Sequence, residues 1–342
     1  MKNAEPALAA LKTAGAHVDN ELKKIIETRA AGPAARMYGM MSYALGFVDE
    51  HLKPTDGLNG GKRFRPSLCL LVAGMYGARD KLLDAALAIE LFHNFSLVHD
   101  DVEDGDEMRR GRPTVWKVFG VNHAINAGDA LLIMALEHAA HAPRAMATMV
   151  SASFAQVVEG QYLDFEMSSS LVDTTILNEA TYVRMVEKKT SALVGACTEA
   201  AGIAAAQNKA ECARLREYGA LLGLAYQIAD DYRSLWSSEA KTGKNELGDI
   251  RSRKRTLPFI VANKDLATGR LAKLYSLERA LSDVEIKEAK ALIESTAARA
   301  YTISRIHEHA RAARAIAETL SVSDPDKALL TGVVDALIPE SV

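Results

Sequence analysis

Apolar positions along the chain recur at intervals of three and four. Leu82, Leu83, Ala86, Leu87, Ile89 and Leu91 lead into Phe95, Leu97 and Val98, and Leu215, Tyr218, Leu221, Leu222, Ala225, Tyr226 and Ile228 repeat the pattern. That period predicts long, largely buried helices. No segment alternates apolar and polar residues between Asn-Gly or Asp-Gly turns, so a sheet has no evident place. The predicted class is all-α, one bundle of roughly ten or more helices. Breaks are expected from Lys53 through Gly61, from Asp104 to Pro113, at Ala142-Pro143, from Met167 to Thr174, from Ser237 to Arg255 and from Ser321 to Asp326. None is a long low-complexity linker, so residues 1–342 are taken as a single domain.

Composition sharpens this picture. Proline and glycine are sparse, nine and 22 in 342 residues, and 49% of positions are apolar, which suffices for a substantial core. With 41 Lys and Arg against 44 Asp and Glu the net charge is −3, so the basic footprint of a nucleic-acid or anionic-membrane binder is missing and any phosphate binding must be local. Cys69, Cys197 and Cys212 stand far apart among aliphatic neighbours, without metal-ligand spacing, and are expected to be reduced thiols. No run reaches the roughly 18 apolar residues of a membrane span, and the first thirty residues carry Glu5, Asp19, Glu21 and Glu27. A soluble, cytoplasmic protein without stable membrane insertion or nucleic-acid partner is expected.

Chemistry concentrates in three places. The predicted helix through Val98 ends in His99-Asp100-Asp101-Val102-Glu103-Asp104, followed by Arg109-Arg110-Gly111. Asp100 and Asp104 are one turn apart and Asp101 is adjacent, so three carboxylates repel unless a cation lies among them. Hard oxygen ligands suit Mg²⁺, which completes its shell with water and substrate phosphate, and a diphosphate substrate follows. A solvated acidic helix end answered by Arg109 and Arg110 is the plainer alternative. A second pair, Asp230-Asp231, also closes an apolar helix and is preceded by Gln227. Two such ends facing across a cavity could hold several cations around one diphosphate, with apolar flanks lining a shaft for a lipid tail. Gly60-Gly61-Lys62-Arg63-Phe64-Arg65-Pro66 places basic residues before a helix start with Pro66 in its first turn; it is a phosphate cradle or an exposed basic turn, and it is not a P-loop.

Over roughly residues 55 to 260 the chain resembles the trans-isoprenyl diphosphate synthases, or polyprenyl synthetases, and among them geranylgeranyl diphosphate synthases. Their first aspartate-rich motif is matched by Asp100-Asp101-x-x-Asp104 with Arg109-Arg110-Gly111, and their Gly-Lys-x-x-Arg-Pro motif by Gly61 to Pro66. Lys189-Thr190, Gln161 and Gln227 match further elements, and Lys244 and Lys254 fall where the family's later lysines do. The resemblance implies an all-α bundle around a deep central cavity, a homodimer, and Mg²⁺, about three ions with substrate bound. It implies that Asp100, Asp101, Asp104 and Asp230, together with Asp231 of the second pair, hold metal. Arg109, Lys189, Thr190, Gln227, Lys244 and Lys254 would serve the allylic diphosphate, and Lys62, Arg65, His93 and Arg110 would hold isopentenyl diphosphate. Metals and fixed cations would stabilise the diphosphate as it leaves an allylic carbocation, which the double bond of isopentenyl diphosphate attacks before a proton is lost. Water must be kept out.

Two departures qualify this. The family's second motif commonly ends in a third aspartate, where this chain has Ser234, a poorer Mg²⁺ ligand, and Ser237-Ser238 replaces the Gly-Asp that often follows. Phe95 lies five residues before Asp100, about 7.5 Å lower along a helix, at the depth where the family uses aromatics to floor the chain cavity. Its neighbour Ser96 is small, which implies a product of about twenty carbons, geranylgeranyl diphosphate, with farnesyl and farnesylgeranyl diphosphate as alternatives. A cyclase or a prenyltransferase with an unusual acceptor is the enzymatic rival, and a non-catalytic partner subunit the rival of another class. His99 is a packing histidine or a catalytic one; the Tyr162, Asp164, Phe165 and Glu166 stretch could simply continue a helix; His307 and His309 receive no role.

Overall fold

A computed structural model describes residues 4–55, 60–169, 176–237, 247–266 and 269–338. The fold is all-α. A long N-terminal helix α1 (Ala4–Arg29) and a short α2 (Ala35–Ala44) precede α3 (Phe64–Met75) and α4 (Leu83–Glu103). After α5 (Val115–Phe119) come two long helices, α6 (Val121–His141) and α7 (Arg144–Ser169). Next are α8 (Glu179–Val186), a single π-helical turn over Glu187–Ser191, α9 (Ala192–Ala204) and the longest helix, α10 (Lys209–Trp236). Shorter helices follow, α11 (Gly248–Arg251), α12 (Leu257–Asp265), α13 (Arg270–Tyr275) and α14 (Asp283–Glu294), then α15 (Ala298–Thr319) and α16 (Asp324–Leu337).

Local signals set these limits. Asn178 and Asn208 cap α8 and α10 by accepting the amide N–H of Thr181 and Glu211, and Ser282 with Glu285 forms a reciprocal capping box at α14. The two stretches with clear three-four periodicity became α4 and α10, the first almost continuously buried from Ala85 to Phe92. One buried core runs from Ala7 to Ile338. In it α4 lies along α6, α9 and α15 flank α10, and α1 joins the C-terminal α16 to α3. Small residues bring α9 and α10 close: a Cβ at Gly219 would sit 2.9 Å from the Gly195 Cα and within Thr198 and Val194.

Three expectations need correction. A sheet does occur, as a two-stranded antiparallel ribbon of β1 (Met108–Arg109) and β2 (Arg112–Pro113). Its two-residue loop, Arg110-Gly111, has φ of 55° and 77°, as a tight primed turn requires, yet lacks the Asn-Gly signature that flags one. Second, Asp230-Asp231 does not end its helix: α10 continues to Trp236. Third, Arg65 does not precede its helix; Arg63 is the cap and α3 starts at Phe64. Further breaks at residues 30–34, 76–82 and 205–208 were not anticipated. Among the described residues no helix is long and apolar enough to cross a membrane. Cys69 and Cys197 are buried and Cys212 half-buried, all three free.

Candidate active site

The C-terminal end of α4 meets α7, the π-turn and the segment after α11, and α10 packs against the π-turn. Asp104 caps α4, and Lys254 donates from Nζ to its Oδ2 at 2.8 Å, bridging residues 150 positions apart. Lys189 donates to Asp164 Oδ2 at 2.7 Å, and Arg109 Nε to Asp101 Oδ1 at 2.6 Å. The repulsion expected among the carboxylates is therefore answered by three cations from three other segments. Burial lowers the tendency of Lys189 and Lys254 to stay charged, but Asp100 with Asp164, and Asp104 with Asp164, outweigh it and hold both above the ordinary lysine value. Burial pushes Asp100 up against the pull of Lys189 and Arg109, and pushes Asp101 up to about 6 even with Arg109 beside it.

The π-turn explains how Lys189 and its neighbour reach opposite walls. It is clasped by two glycines. A Cβ at Gly160 of α7 would come within 2.6 Å of the Lys189 Cα, and one at Gly223 of α10 within 2.8 Å of the Ser191 Cα. Held this closely, Lys189 turns to Asp164 on α7 while Thr190 donates to Gln227 Oε1 on α10 at 2.9 Å. Such one-turn widenings of a helix are characteristic of functional sites. Gln227 in turn donates to Asp231 Oδ1 at 2.9 Å, and the Tyr182 hydroxyl to Asp231 Oδ2 at 2.6 Å. Asp231 is thus buried with both oxygens engaged, and burial together with the nearby Asp249 pushes it up to about 8. Asp230 lies beside it, half-buried. Ser234, one turn on, accepts the backbone N–H of Asp249 at 3.3 Å, so it steadies the segment that brings Asp249 toward Asp231.

The basic motif forms a second centre. Arg63, in left-handed conformation and 4% exposed, binds Asp19, Glu90, and the carbonyls of Gly60 and Leu45, and thereby anchors the loop to α1 and α4. Arg65 Nη1 lies 3.0 Å from His93 Nε2. Burial and the surrounding arginines, Arg65 first, hold His93 well below the ordinary histidine value, so the neutral ring accepts from Arg65. Arg110 donates to the Gly60 carbonyl and covers Gly61, where a Cβ would lie 2.5 Å from the guanidinium carbon. Burial pulls Arg110 down to about 10. Lys62, next in the chain to Gly61, is exposed. Arg109 and Arg110, adjacent on the ribbon, thus face the two centres separately.

Two buried atoms here have no hydrogen-bond partner among the described residues. Arg65 Nε is an idle donor next to His93, which suits an anion, and Gln161 Oε1 is an idle acceptor, its Nε2 donating to Glu103 Oε2 at 2.9 Å. A cleft beside the first motif is lined by Asn94, Leu97, Val98, Asp101, Arg109 and Arg110. Phe95 packs against Phe92 (5.4 Å between centroids) and His99 (4.6 Å), and the Ser96 hydroxyl donates to the His93 carbonyl at 2.9 Å. His99 turns to α6, where it meets Gly128, the Ile125 carbonyl and Asp129, which makes it a packing residue. Lys244 lies outside the described residues, as does the interval 238–246. Asp164, Tyr182, Asp249 and Arg63 are the participants that sequence reasoning did not assign. Asp164 had a sequence signal, its position three residues after Gln161 in an otherwise amphipathic helix.

Known proteins bear on this arrangement. The polyprenyl synthetase family model matches residues 52–293, extending past the 55–260 region of motif resemblance. A (2E,6E)-farnesyl diphosphate synthase of Mycobacterium tuberculosis is 36% identical over 287 residues, covering 80% of this chain and 77% of the relative. A geranylgeranyl diphosphate synthase of the same organism is 35% identical over 295 residues, covering 84% and 81%. A solved polyprenyl synthetase from Streptomyces coelicolor superimposes with a TM-score of 0.84 at 28% identity, covering 97% of this chain and 99% of that one. With its fold, its motifs and its relatives in agreement, the chain belongs to the polyprenyl synthetase family and is an isoprenyl diphosphate synthase, a trans-prenyltransferase.

Proposed function

We propose that the protein elongates an allylic diphosphate with isopentenyl diphosphate and releases geranylgeranyl diphosphate. The observation that carries this is the pairing of two cationic centres: Lys189, Lys254 and Arg109 among the carboxylates, and Arg65 with neutral His93 and Arg110 beside Gly60. Two diphosphates need two such centres, whereas a cyclase needs one. A non-catalytic subunit would have no use for an intact Asp100-Asp101-x-x-Asp104 motif.

The donor set fits Mg²⁺, since Asp100, Asp101, Asp104 and Asp230 offer hard oxygens and Gln161 Oε1 is an unfilled acceptor. When bound there, Mg²⁺ would neutralise the diphosphate as it departs. Lys189, Lys254 and Arg109 bind and orient the allylic diphosphate, and Thr190 and Gln227 fix the π-turn and Asp231. Asp231, closed in by Tyr182 and Gln227, acts as a positioning residue for Asp230. Lys62, Arg65, His93 and Arg110 hold isopentenyl diphosphate, with Arg65 Nε as the open donor. The carbon–oxygen bond of the primer breaks, the isopentenyl double bond forms the new carbon–carbon bond, and one proton is lost. Phe95 floors the cavity, and the small Ser96 leaves room for about twenty carbons.

The chain acts as one unit from 1 to 342, which the continuity of its core supports. It pairs as a homodimer in the cytoplasm. Val121, Ile125, Ile133 and Leu136 on α6 and Val158, Tyr162 and Phe165 on α7 are exposed and apolar, a surface suited to a second copy. Purified protein should be incubated with Mg²⁺, labelled isopentenyl diphosphate and dimethylallyl, geranyl or farnesyl diphosphate in turn. Geranylgeranyl diphosphate is expected by mass spectrometry, with activity abolished by Asp101→Ala. Absence of any elongated product from the natural sequence would refute the proposal.

A further inference from the structure

We propose that Asp84, His138 and His141 form a second metal site, for a divalent transition ion of the Zn²⁺ type, which staples the start of α4 to the end of α6. It is independent of the reaction proposed above. Asp84 is in the first turn of α4, and the two histidines are in the last turn of α6, three residues apart and so on one side of that helix. The Nδ1 atoms of both rings converge on one atom, Asp84 Oδ1, at 2.8 Å from His138 and 3.6 Å from His141. One ligand atom from each of the three residues lies within 4.8 Å of the others. The rings are nearly perpendicular, at 83°, with centroids 5.7 Å apart, so both can aim at a common point without stacking.

The distances suit a small ion. Tetrahedral Zn²⁺ with bonds of about 2.0–2.1 Å separates its ligand atoms by about 3.3 Å. The Asp84–His138 contact must open by about half an ångström and the Asp84–His141 contact close by less, which are side-chain movements. His138 is held firmly, its side chain 12% exposed, whereas His141 is 65% exposed and gives an ion a way in. Three protein ligands leave a position for water. The cationic charge also lies at the carbonyl end of α6, where the helix dipole favours it.

Chemistry keeps this site apart from the aspartate-rich centre. Imidazole nitrogen selects Zn²⁺, Ni²⁺, Co²⁺ or Cu²⁺, while all-carboxylate sites suit Mg²⁺. Sixteen residues of α4 separate Asp84 from Asp100, about 24 Å along the helix. The site also avoids the exposed apolar face of α6: at about 100° per residue Val121, Ile125, Ile133 and Leu136 fill a sector about 120° wide, and both histidines fall outside it. A dimer formed on that face leaves the staple accessible. What the ion would do is fix the base of the helix whose other end carries Asp100 and whose middle carries Phe95.

Chelator-treated full-length protein in excess Mg²⁺ should be titrated with Zn²⁺ by calorimetry and with Co²⁺ by visible absorption. One tightly bound equivalent is expected, with a Co²⁺ ligand-field spectrum and a rise in Tm on adding Zn²⁺. His141→Gln, at an exposed position that leaves the fold intact, should weaken binding at least about tenfold and remove the Tm shift. Asp84→Asn should do likewise, and Asp101→Ala should keep the site. Binding that survives in His141→Gln, or that disappears in Asp101→Ala, would overturn the proposal, as would the absence of stoichiometric binding by the natural protein.

Discussion

Gly160→Ala adds one methyl group and tests the clasp around the π-turn. The new Cβ would lie 2.6 Å from the Lys189 Cα and 2.8 Å from the Lys188 carbonyl carbon, backbone atoms that cannot rotate away. Ordinary carbon contacts begin near 3.5 Å, so α7 and the π-turn must separate by about 1 Å. That is enough to break the 2.7 Å bridge between Lys189 and Asp164, and to displace the Lys189 ammonium from Asp100. Misplacing a positioning group by about 1 Å can lower turnover on the order of 100-fold, while overpacking of this kind costs about 1–3 kcal/mol of stability. Gly74→Ala is the control, because a Cβ there meets nothing within 4 Å on an exposed turn of α3 and should leave turnover unchanged. Steady-state incorporation of labelled isopentenyl diphosphate and thermal melting of both variants measure the two effects. Turnover of Gly160→Ala within twofold of the natural protein, with unchanged Tm, would show that the close approach does not position Lys189.

Arg65→Ala should raise KM for isopentenyl diphosphate at least about tenfold, with a smaller effect on the primer; equal effects on both would break the division into two centres. Phe95→Ala should lengthen the product by at least one five-carbon unit, read by mass spectrometry, and an unchanged product would remove Phe95 from the cavity floor. Asp231 is pushed up to about 8, well above its unfolded value near 3.9, so the metal-free fold binds its proton more tightly than the unfolded chain. Its contribution to stability is therefore greatest below about pH 4 and declines as pH rises to about 8. Asp231→Asn removes that decline: urea titrations from pH 5 to 9 should show the variant gaining on the natural protein as pH rises, and parallel curves would refute the assignment.

How much of this was legible in the sequence differs from element to element. The apolar period that made α4 and α10 also placed the two aspartate pairs, because adjacent charges on a largely buried helix stand out against their own surroundings, whether near its end as in α4 or inside it as in α10. The π-turn was invisible, since Glu187-Lys188-Lys189-Thr190-Ser191 reads like any polar helical stretch and its shape is imposed by Gly160 and Gly223 on other helices. Asp164 looked like one more helical charge until Lys189 was brought to it. Arg63 could not be separated from Lys62 and Arg65, because burial beside Glu90 and Asp19 is a tertiary fact. Ser234 announced a missing carboxylate, but its hold on the Asp249 backbone depends on a chain return that no local pattern encodes.

Two pairs described above, Arg109 with Asp101 and Lys254 with Asp104, give the site the character of an ion exchanger. If these residues receive metal and diphosphate as proposed, binding swaps partners: carboxylates pass to the metal and the cations pass to phosphate oxygens. Every charge has a counter-charge before and after, so neither state strands a buried ion. A diphosphate arriving without metal would draw the cations off and leave bare carboxylates, and metal arriving alone would leave a bare guanidinium and a bare ammonium. Each ligand therefore raises the affinity for the other, and by linkage equally in both directions.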